Sequence, residues 1–207
     1  MKVLMINGSP HKNGSTNAAL GIVASELAKN EIETEVIQVG NLELKSCQGC
    51  RHCRMNNTGK CIIDDEVNAF LQKAARADGF VFGSPVHYAG ITGALQSFLG
   101  RAFFAGNCFA YKPGAAVLVC RRAGALTAFD QINKFMAISQ MPIVSTTYWN
   151  MVFGDNAAEI MEDKEGVQIL RGIGRNMAWL LSCIEAGKKQ GIDAPPPEPR
   201  ERTSFIR

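Results

Sequence analysis

The sequence predicts an α/β fold in which one parallel β-sheet lies between two layers of helices. Short apolar stretches alternate along the chain with segments whose apolar residues recur every three or four positions. Most of these segments end at glycine, proline, serine or asparagine. Such an alternation supplies the helical crossovers that parallel strands require.

The first βαβ unit is predicted at the start of the chain. Lys2 to Ile6 is an apolar run that ends in turn residues and is typical of a buried strand. A helix then opens at Ser15-Thr16-Asn17. Glu33 to Val39 forms the second strand, which Gly40 terminates.

The same alternation continues through the middle of the chain. Asp64 or Asp65 can cap a helix, and Asp78 to Gly83 then reads as a buried strand. Thr92 begins the next helix, and Ala115 to Cys120 forms the fourth strand.

The last elements complete a five-stranded arrangement. A helix is predicted around Leu126 to Met136, a short fifth strand near Ile143 to Thr146, and a long helix over roughly Glu162 to Gln190. Five strands with right-handed crossovers favour a flavodoxin-like, doubly wound parallel sheet in a three-layer α/β/α arrangement. Ligands bind such sheets beyond the carboxyl ends of the strands, so we expect the loops at 7–16, 84–92 and 120–125 to converge.

Composition excludes several classes of protein. Hydrophobic residues make up 46% of the 207, enough for a core, and the net charge of +3 comes from scattered residues. A nucleic-acid partner is therefore not expected. The longest apolar stretch, Ala115 to Cys120, falls far short of the roughly 18 residues of a membrane span. With no signal-like segment at the start, we expect a cytoplasmic protein that does not enter the membrane.

The first loop has the composition of a phosphate site. Gly8 to Asn17 contains small hydroxyl and amide residues where the following helix offers unpaired N–H groups. The spacing fits neither a P-loop nor the dinucleotide fingerprint. An ordinary turn that caps a helix is the alternative.

This loop resembles the FMN-phosphate loop of the NADPH-dependent FMN reductase family, in which Gly-Ser-Pro-Arg precedes Gly-x-Thr. Here His11 replaces the usual arginine, and an imidazole is only partly charged at neutral pH. The resemblance implies that the FMN phosphate is held by Ser9, His11, Ser15, Thr16 and Asn17.

Two further loops are similar to the parts of this family that hold the flavin ring. Gly83 to Gly90 resembles its Ser-Pro-x-Tyr loop, and Cys120-Arg121-Arg122 follows the fourth strand. A half-buried tyrosine turn and solvated arginines are the alternatives. The residues implied for the ring are Pro85, Val86, His87, Tyr88, Cys120, Arg121 and Arg122. No side chain is assigned a catalytic role, because the chemistry takes place at flavin N5.

Four of the seven cysteines lie close together in the sequence, with the spacing C-x₂-C-x₂-C-x₇-C: Cys47, Cys50, Cys53 and Cys61. In a reducing compartment this pattern indicates an iron-sulfur cluster, zinc, or free and redox-active thiols. The spacing resembles the compact motif of the iron-sulfur flavoproteins, which carry a 4Fe-4S cluster beside FMN. The similarity extends to Asp64-Asp65 and to the final residues 203–207.

The sequence therefore predicts an FMN-dependent oxidoreductase. Electrons would pass from NAD(P)H or a reduced carrier through FMN, with a 4Fe-4S cluster, to a quinone, a flavin, another small acceptor or a redox protein. The alternatives are a cluster-free NAD(P)H-dependent reductase, a flavodoxin-like electron carrier and a scaffold without redox activity. The resemblance also implies a homodimer or homotetramer. We expect an FMN-binding domain at 1–190, with a cysteine-rich insert at 41–64, and a proline-rich tail at 191–207.

Overall fold

Five parallel strands form a single sheet in a computed structural model that describes residues 1–198, 201 and 203. The strands are β1 (Lys2–Asn7), β2 (Glu33–Gln38), β3 (Gly79–Pro85), β4 (Gly114–Cys120) and β5 (Met151–Phe153). Their order is β2-β1-β3-β4-β5, the flavodoxin-like order, which confirms the predicted fold class. The order in which the chain adds strands to the sheet reverses between β1 and β3, and ligands bind at such switch points.

Helices cover both faces of the sheet. They are α1 (Ser15–Ala28), α2 (His52–Met55), α3 (Glu66–Ala74), α4 (Gly93–Ala105), α5 (Ala125–Ile138) and α6 (Lys164–Lys189), with one 3₁₀ turn at Glu159–Met161. Helices α1 and α6 pack on one face around Val23 and Met177. Helices α3, α4 and α5 pack on the other face, where phenylalanines such as Phe70 and Phe98 fill the core. This arrangement gives the predicted three layers.

Helix starts follow the capping residues in the sequence. Asp65 accepts a hydrogen bond from the N–H of Val67 at 3.1 Å and caps α3. Thr92 caps α4 through the N–H of Leu95 at 3.3 Å. The predicted last helix is confirmed to within two residues at its start and one at its end.

The position of the fifth strand was predicted wrongly. Ile143 makes one isolated bridge to Gly114, after which the chain leaves the sheet. The hydroxyl of Thr146 donates to the carbonyl of Tyr148 at 2.7 Å and closes a turn there. The strand that pairs with β4 is Met151–Phe153, which begins after the predicted strand has ended.

The end of the chain is described only in part. Residues 192–198 are exposed and adopt neither helix nor strand. Most of the predicted tail beyond them, and residues 204–207 of the similarity to iron-sulfur flavoproteins, lie outside the described residues. No helix in the described part of the chain is both long and apolar enough to span a bilayer.

Candidate functional site

A cleft of about 600 Å³ opens at the carboxyl ends of the strands. It is lined by residues 9–11 and 13–16 after β1, 85–87 at the end of β3, 119–121 at the end of β4, and 154–158 after β5. The volume lies within the range of small-molecule and cofactor sites. The three loops predicted from the sequence thus face one another across this cleft.

The loop after β1 is fixed between its neighbours. The N–H of Gly8 donates to the carbonyl of Gly83 at 2.8 Å, and the hydroxyl of Thr92 donates to the carbonyl of Gly8 at 2.7 Å. A Cβ added at Gly40 would overlap the carbonyls of Gly8 and Ser9. The turn after β2 therefore packs directly against the loop and needs a glycine there.

Side chains organise the same loop from within. Asn7 Oδ1 accepts from the N–H of Ser9 at 3.0 Å, and Ser9 Oγ accepts from the N–H of His11 at 3.1 Å. Asn7 Nδ2 in turn donates to Gln38 Oε1 at 2.8 Å. A buried asparagine thus connects the ends of β1 and β2 to the loop that lines the cleft.

The start of α1 has the features of an anion site. Its N-cap is Gly14, which has no side chain to accept a hydrogen bond from the first N–H groups of the helix. No acidic residue lies in the first turn. Thr16 lines the cleft, and its hydroxyl oxygen is buried without a hydrogen-bond partner in the described chain. A phosphate would satisfy both the unpaired N–H groups and this hydroxyl, so these residues fit the phosphate of FMN.

The opposite wall of the cleft is formed by the ends of β3 and β4. His87 and Gly90 exchange backbone hydrogen bonds at 2.9 and 3.1 Å, which closes a tight turn. Gly124 has φ +87°, and a Cβ there would meet the carbonyl of Tyr88 at 2.8 Å, so the two loops pack closely. Burial raises the pKa of the Cys120 thiol, which is therefore neutral in the cleft.

Most of the sequence-predicted cofactor residues line this cleft: Ser9, His11, Ser15, Thr16, Pro85, Val86, His87, Cys120 and Arg121. The other three are placed elsewhere. Asn17 lies within α1 outside the cleft lining, and Tyr88 is fully exposed at the tip of its turn. Arg122 lines a neighbouring cleft instead.

The segment after β5 also lines the cleft, although the sequence pattern did not predict it there. Asp155 and Asn156 lie there, within the turn that follows β5. Their signal is the Gly-Asp-Asn turn at the carboxyl end of a strand. This turn was not recognised as the end of a strand, because the fifth strand was predicted earlier in the chain.

The neighbouring cleft measures about 540 Å³, and its lining is mostly apolar but includes the carboxylates of Asp163 and Glu165. Tyr148, Trp149 and Phe153 line it and are each between 41% and 53% exposed. Arg122 lies in this cleft whereas Arg121 lies in the first, so the loop after β4 separates the two.

The four clustered cysteines line one small cavity against α4. Cys47 and Cys50 are exposed, Cys53 is buried and Cys61 is half-buried. The backbone turns sharply between them, with φ of +66° at Gly49 and +59° at Arg51. The cavity holds only about 20 Å³, and no three His, Cys, Asp or Glu side chains of the described residues are arranged around a metal position.

The cysteine cavity contains both a neutral buried thiol and a buried cation. Burial raises the pKa of the Cys53 thiol above its usual range. Arg101 also lines the cavity; burial opposes its charge, but hydrogen bonds to Asp65 and Cys61 outweigh that effect and raise its pKa. The cavity therefore contains a permanent buried cation.

Comparison with known proteins agrees with this geometry. The family model described as NADPH-dependent FMN reductase matches residues 1–156. An iron-sulfur flavoprotein of Methanocaldococcus jannaschii is 32% identical over 194 residues, which cover 89% of this chain and all of that protein. An iron-sulfur flavoprotein of Methanosarcina thermophila is 28% identical and covers 91% of this chain and 99% of its own length.

A solved structure has the same fold. A flavodoxin from the domain Archaea superposes with a TM-score of 0.59 at 14% identity, covering 88% of this chain and 99% of the flavodoxin. At this identity the similarity shows the architecture alone.

Proposed function

The chain belongs to the NADPH-dependent FMN reductase family, whose members are FMN-dependent oxidoreductases, and on this premise we propose that it passes electrons from NAD(P)H through FMN to a small acceptor. The observation that carries the proposal is the uncapped start of α1 with the buried, unpaired hydroxyl of Thr16 in the cleft. When bound, FMN accepts a hydride at N5 and releases electrons singly or in pairs.

The residues of the cleft have separate tasks in this proposal. The N–H groups at the start of α1, with Ser15 and Thr16, hold the phosphate. Val86 and His87 form the wall for the ring. Arg121 supplies a positive charge in the same cleft, which favours the reduced, anionic form of a flavin.

The four cysteines are proposed to hold a 4Fe-4S cluster. Their thiols line one cavity, the two relatives named above are iron-sulfur flavoproteins, and four thiolates are the usual ligand set. A cluster, when bound, supplies one-electron transfer. The cavity has room for about one water, so Cys47 and Cys50, which are exposed, have to open outward to admit it.

The acceptor is proposed to be a planar aromatic compound such as a quinone. Tyr148, Trp149 and Phe153 offer exposed aromatic surface directly beside the cofactor cleft. Planar rings stack on such side chains. Arg122 lines the same cleft and can donate to a carbonyl oxygen, whereas Asp163 and Glu165 in the same lining disfavour an anionic acceptor.

Steady-state oxidation of NADH and NADPH with a soluble quinone tests the enzyme. Anaerobically purified protein is expected to turn over many times per bound flavin, whereas an electron carrier would be reduced once and stop. Absence of turnover with either nucleotide, in protein that retains FMN, would contradict the reductase proposal and favour the carrier.

A pair of cysteine variants tests the cluster. Cys61→Ser is expected to lose bound iron while it retains FMN, because Cys61 lines the cysteine cavity and not the cofactor cleft. Cys183→Ser is the matched control, since Cys183 is exposed on α6. Equal iron content in both variants would contradict the assignment, and zinc in place of iron would identify a structural site.

A further inference from the structure

One fully buried cation has no task in the flavin site. Arg101 lies on α4 with 1% of its surface exposed and is the largest fully buried side chain in the described chain. A guanidinium removed from water is stable only when it is paired and fully hydrogen-bonded. The hydrogen-bond partners of Arg101 therefore indicate which part of the structure it stabilises.

All the N–H groups of Arg101 are directed at residues 45–65, which contain the four clustered cysteines and are called the cysteine segment below. Nε donates to Cys61 Sγ at 3.4 Å, and Nη1 donates to the carbonyl of Lys45 at 3.4 Å and to a carboxylate oxygen of Asp65. Nη2 donates to the carbonyl of Ile63 at 3.0 Å and to the other oxygen of Asp65 at 2.8 Å. Five contacts use the five donors of the group. They tie both ends of the segment to α4.

A second buried side chain fixes the backbone of the same cysteine. Asn68, 5% exposed on α3, accepts from the N–H of Cys61 at 2.8 Å and donates to its carbonyl at 3.0 Å. The sulfur of Cys61 is therefore held through both its backbone and its side chain. Cys47 and Cys50 are exposed by comparison.

Resting on the proposed cluster, we propose that Arg101 is a positioning residue of the iron-sulfur site, which fixes the Cys61 sulfur and sets the charge beside it. Hydrogen bonds and positive charge at a ligating sulfur stabilise the reduced cluster and raise its reduction potential. Asp65 opposes this effect, because its carboxylate partly neutralises the guanidinium. The two residues therefore act on the potential in opposite directions.

The test compares the cluster potential of anaerobically purified holoprotein with that of two variants, by redox titration followed by electron paramagnetic resonance. Arg101→Gln removes the cation and is expected to lower the potential. Asp65→Asn removes the opposing charge and is expected to raise it, while its amide oxygen can still accept the capping hydrogen bond from Val67. Loosening of the fold alone does not predict shifts of opposite sign.

Cluster retention is a second readout. Arg101→Gln is expected to lose iron to a chelator about tenfold faster than the wild type, the usual size of an effect from a residue that orients a ligand. Arg76→Gln is the matched control, because Arg76 is an exposed cation that lies beyond the end of α3 and away from the cysteine cavity. It is expected to match the wild type in both rate and potential.

The outcomes separate this inference from the cluster proposal. Wild-type protein without iron overturns both. Wild-type protein with a cluster whose potential is the same in Arg101→Gln and Asp65→Asn overturns the role of Arg101 alone, as do shifts of the same sign. If Arg101→Gln fails to fold, Asp65→Asn decides: an upward shift supports the proposal, and an unchanged or lower potential overturns it.

Discussion

Among single residues, Thr16 gives the most specific indication of a bound phosphate, because its hydroxyl needs a hydrogen-bond partner. It is 1% exposed, lines the cleft and has no hydrogen-bond partner within the described chain. Thr16→Val keeps the shape and removes the hydroxyl, so we expect FMN affinity to fall about tenfold, the loss of one hydrogen bond to a charged group. Flavin fluorescence titration measures this.

Titration with riboflavin distinguishes a lost contact to the phosphate from a lost contact to the flavin ring. Because riboflavin lacks the phosphate, its affinity should be the same for the wild type and Thr16→Val. Thr147→Val, at an exposed threonine, is the control. Equal loss of riboflavin and FMN affinity would show that Thr16 does not contact the phosphate.

Glu35 predicts a small dependence of stability on pH. Hydrogen bonds from Lys2 at 2.8 Å and from Lys73 lower the pKa of its carboxyl below the usual value near 4.5. A lowered pKa in the folded state contributes stability above pH 4.5, which is lost as the pH falls through the lowered value.

Replacement of this carboxylate tests the sign of the effect. Glu35→Gln should unfold about 0.5 kcal/mol more easily than the wild type at pH 7, since the pair is partly exposed and screened. The difference should shrink below pH 4 and in high salt. Urea unfolding across this range, with the exposed Glu43→Gln as control, would contradict the account if the difference grew toward acid.

At the scale of elements, two glycines give opposite expectations for the same substitution. Gly40→Ala would drive a Cβ into the backbone of Gly8 and Ser9, so we expect a loss of about 1–3 kcal/mol of stability together with weaker FMN binding. Gly21 lies on α1 with open space around it, and Gly21→Ala should stabilise the protein by about 0.5–1 kcal/mol.

Thermal unfolding and FMN titration of the two alanine variants check this pair. The loop after β1 is pinned by the turn after β2, and Gly40 is where the two backbones approach. Unchanged FMN affinity in Gly40→Ala would mean that this contact does not position the phosphate loop.

The sequence predicts the elements best where local chemistry sets their ends. Asp65 and Thr92 start helices through their own side chains, and the apolar run Ala115 to Cys120 is strand in the structure as expected. The fifth strand was predicted at the wrong place because two short apolar runs, one at Ile143 and one at Met151, follow helix α5 in the sequence. Pairing with β4 decides between them, and pairing is not local.

At the scale of the whole molecule, contacts between distant segments create features that the sequence pattern does not show. The cysteine spacing predicts that the four thiols share a site, since the ligands are close in sequence. Arg101 lies 40 residues from Cys61, and only the packing of α4 against the cysteine segment brings them together. The loop after β5 reaches the cofactor cleft because β5 pairs with β4, a contact between segments that are far apart in the sequence.

We propose that one chain holds both FMN and an iron-sulfur cluster, at two separate sites. Anaerobic purification followed by an absorption spectrum, with iron, sulfide and flavin analysis of the same sample, tests this proposal. We expect one FMN, about four irons and about four sulfides per chain, for four cysteine ligands. Flavin without iron would contradict the cluster, and the absence of both would contradict the assignment of the cleft at the start of α1.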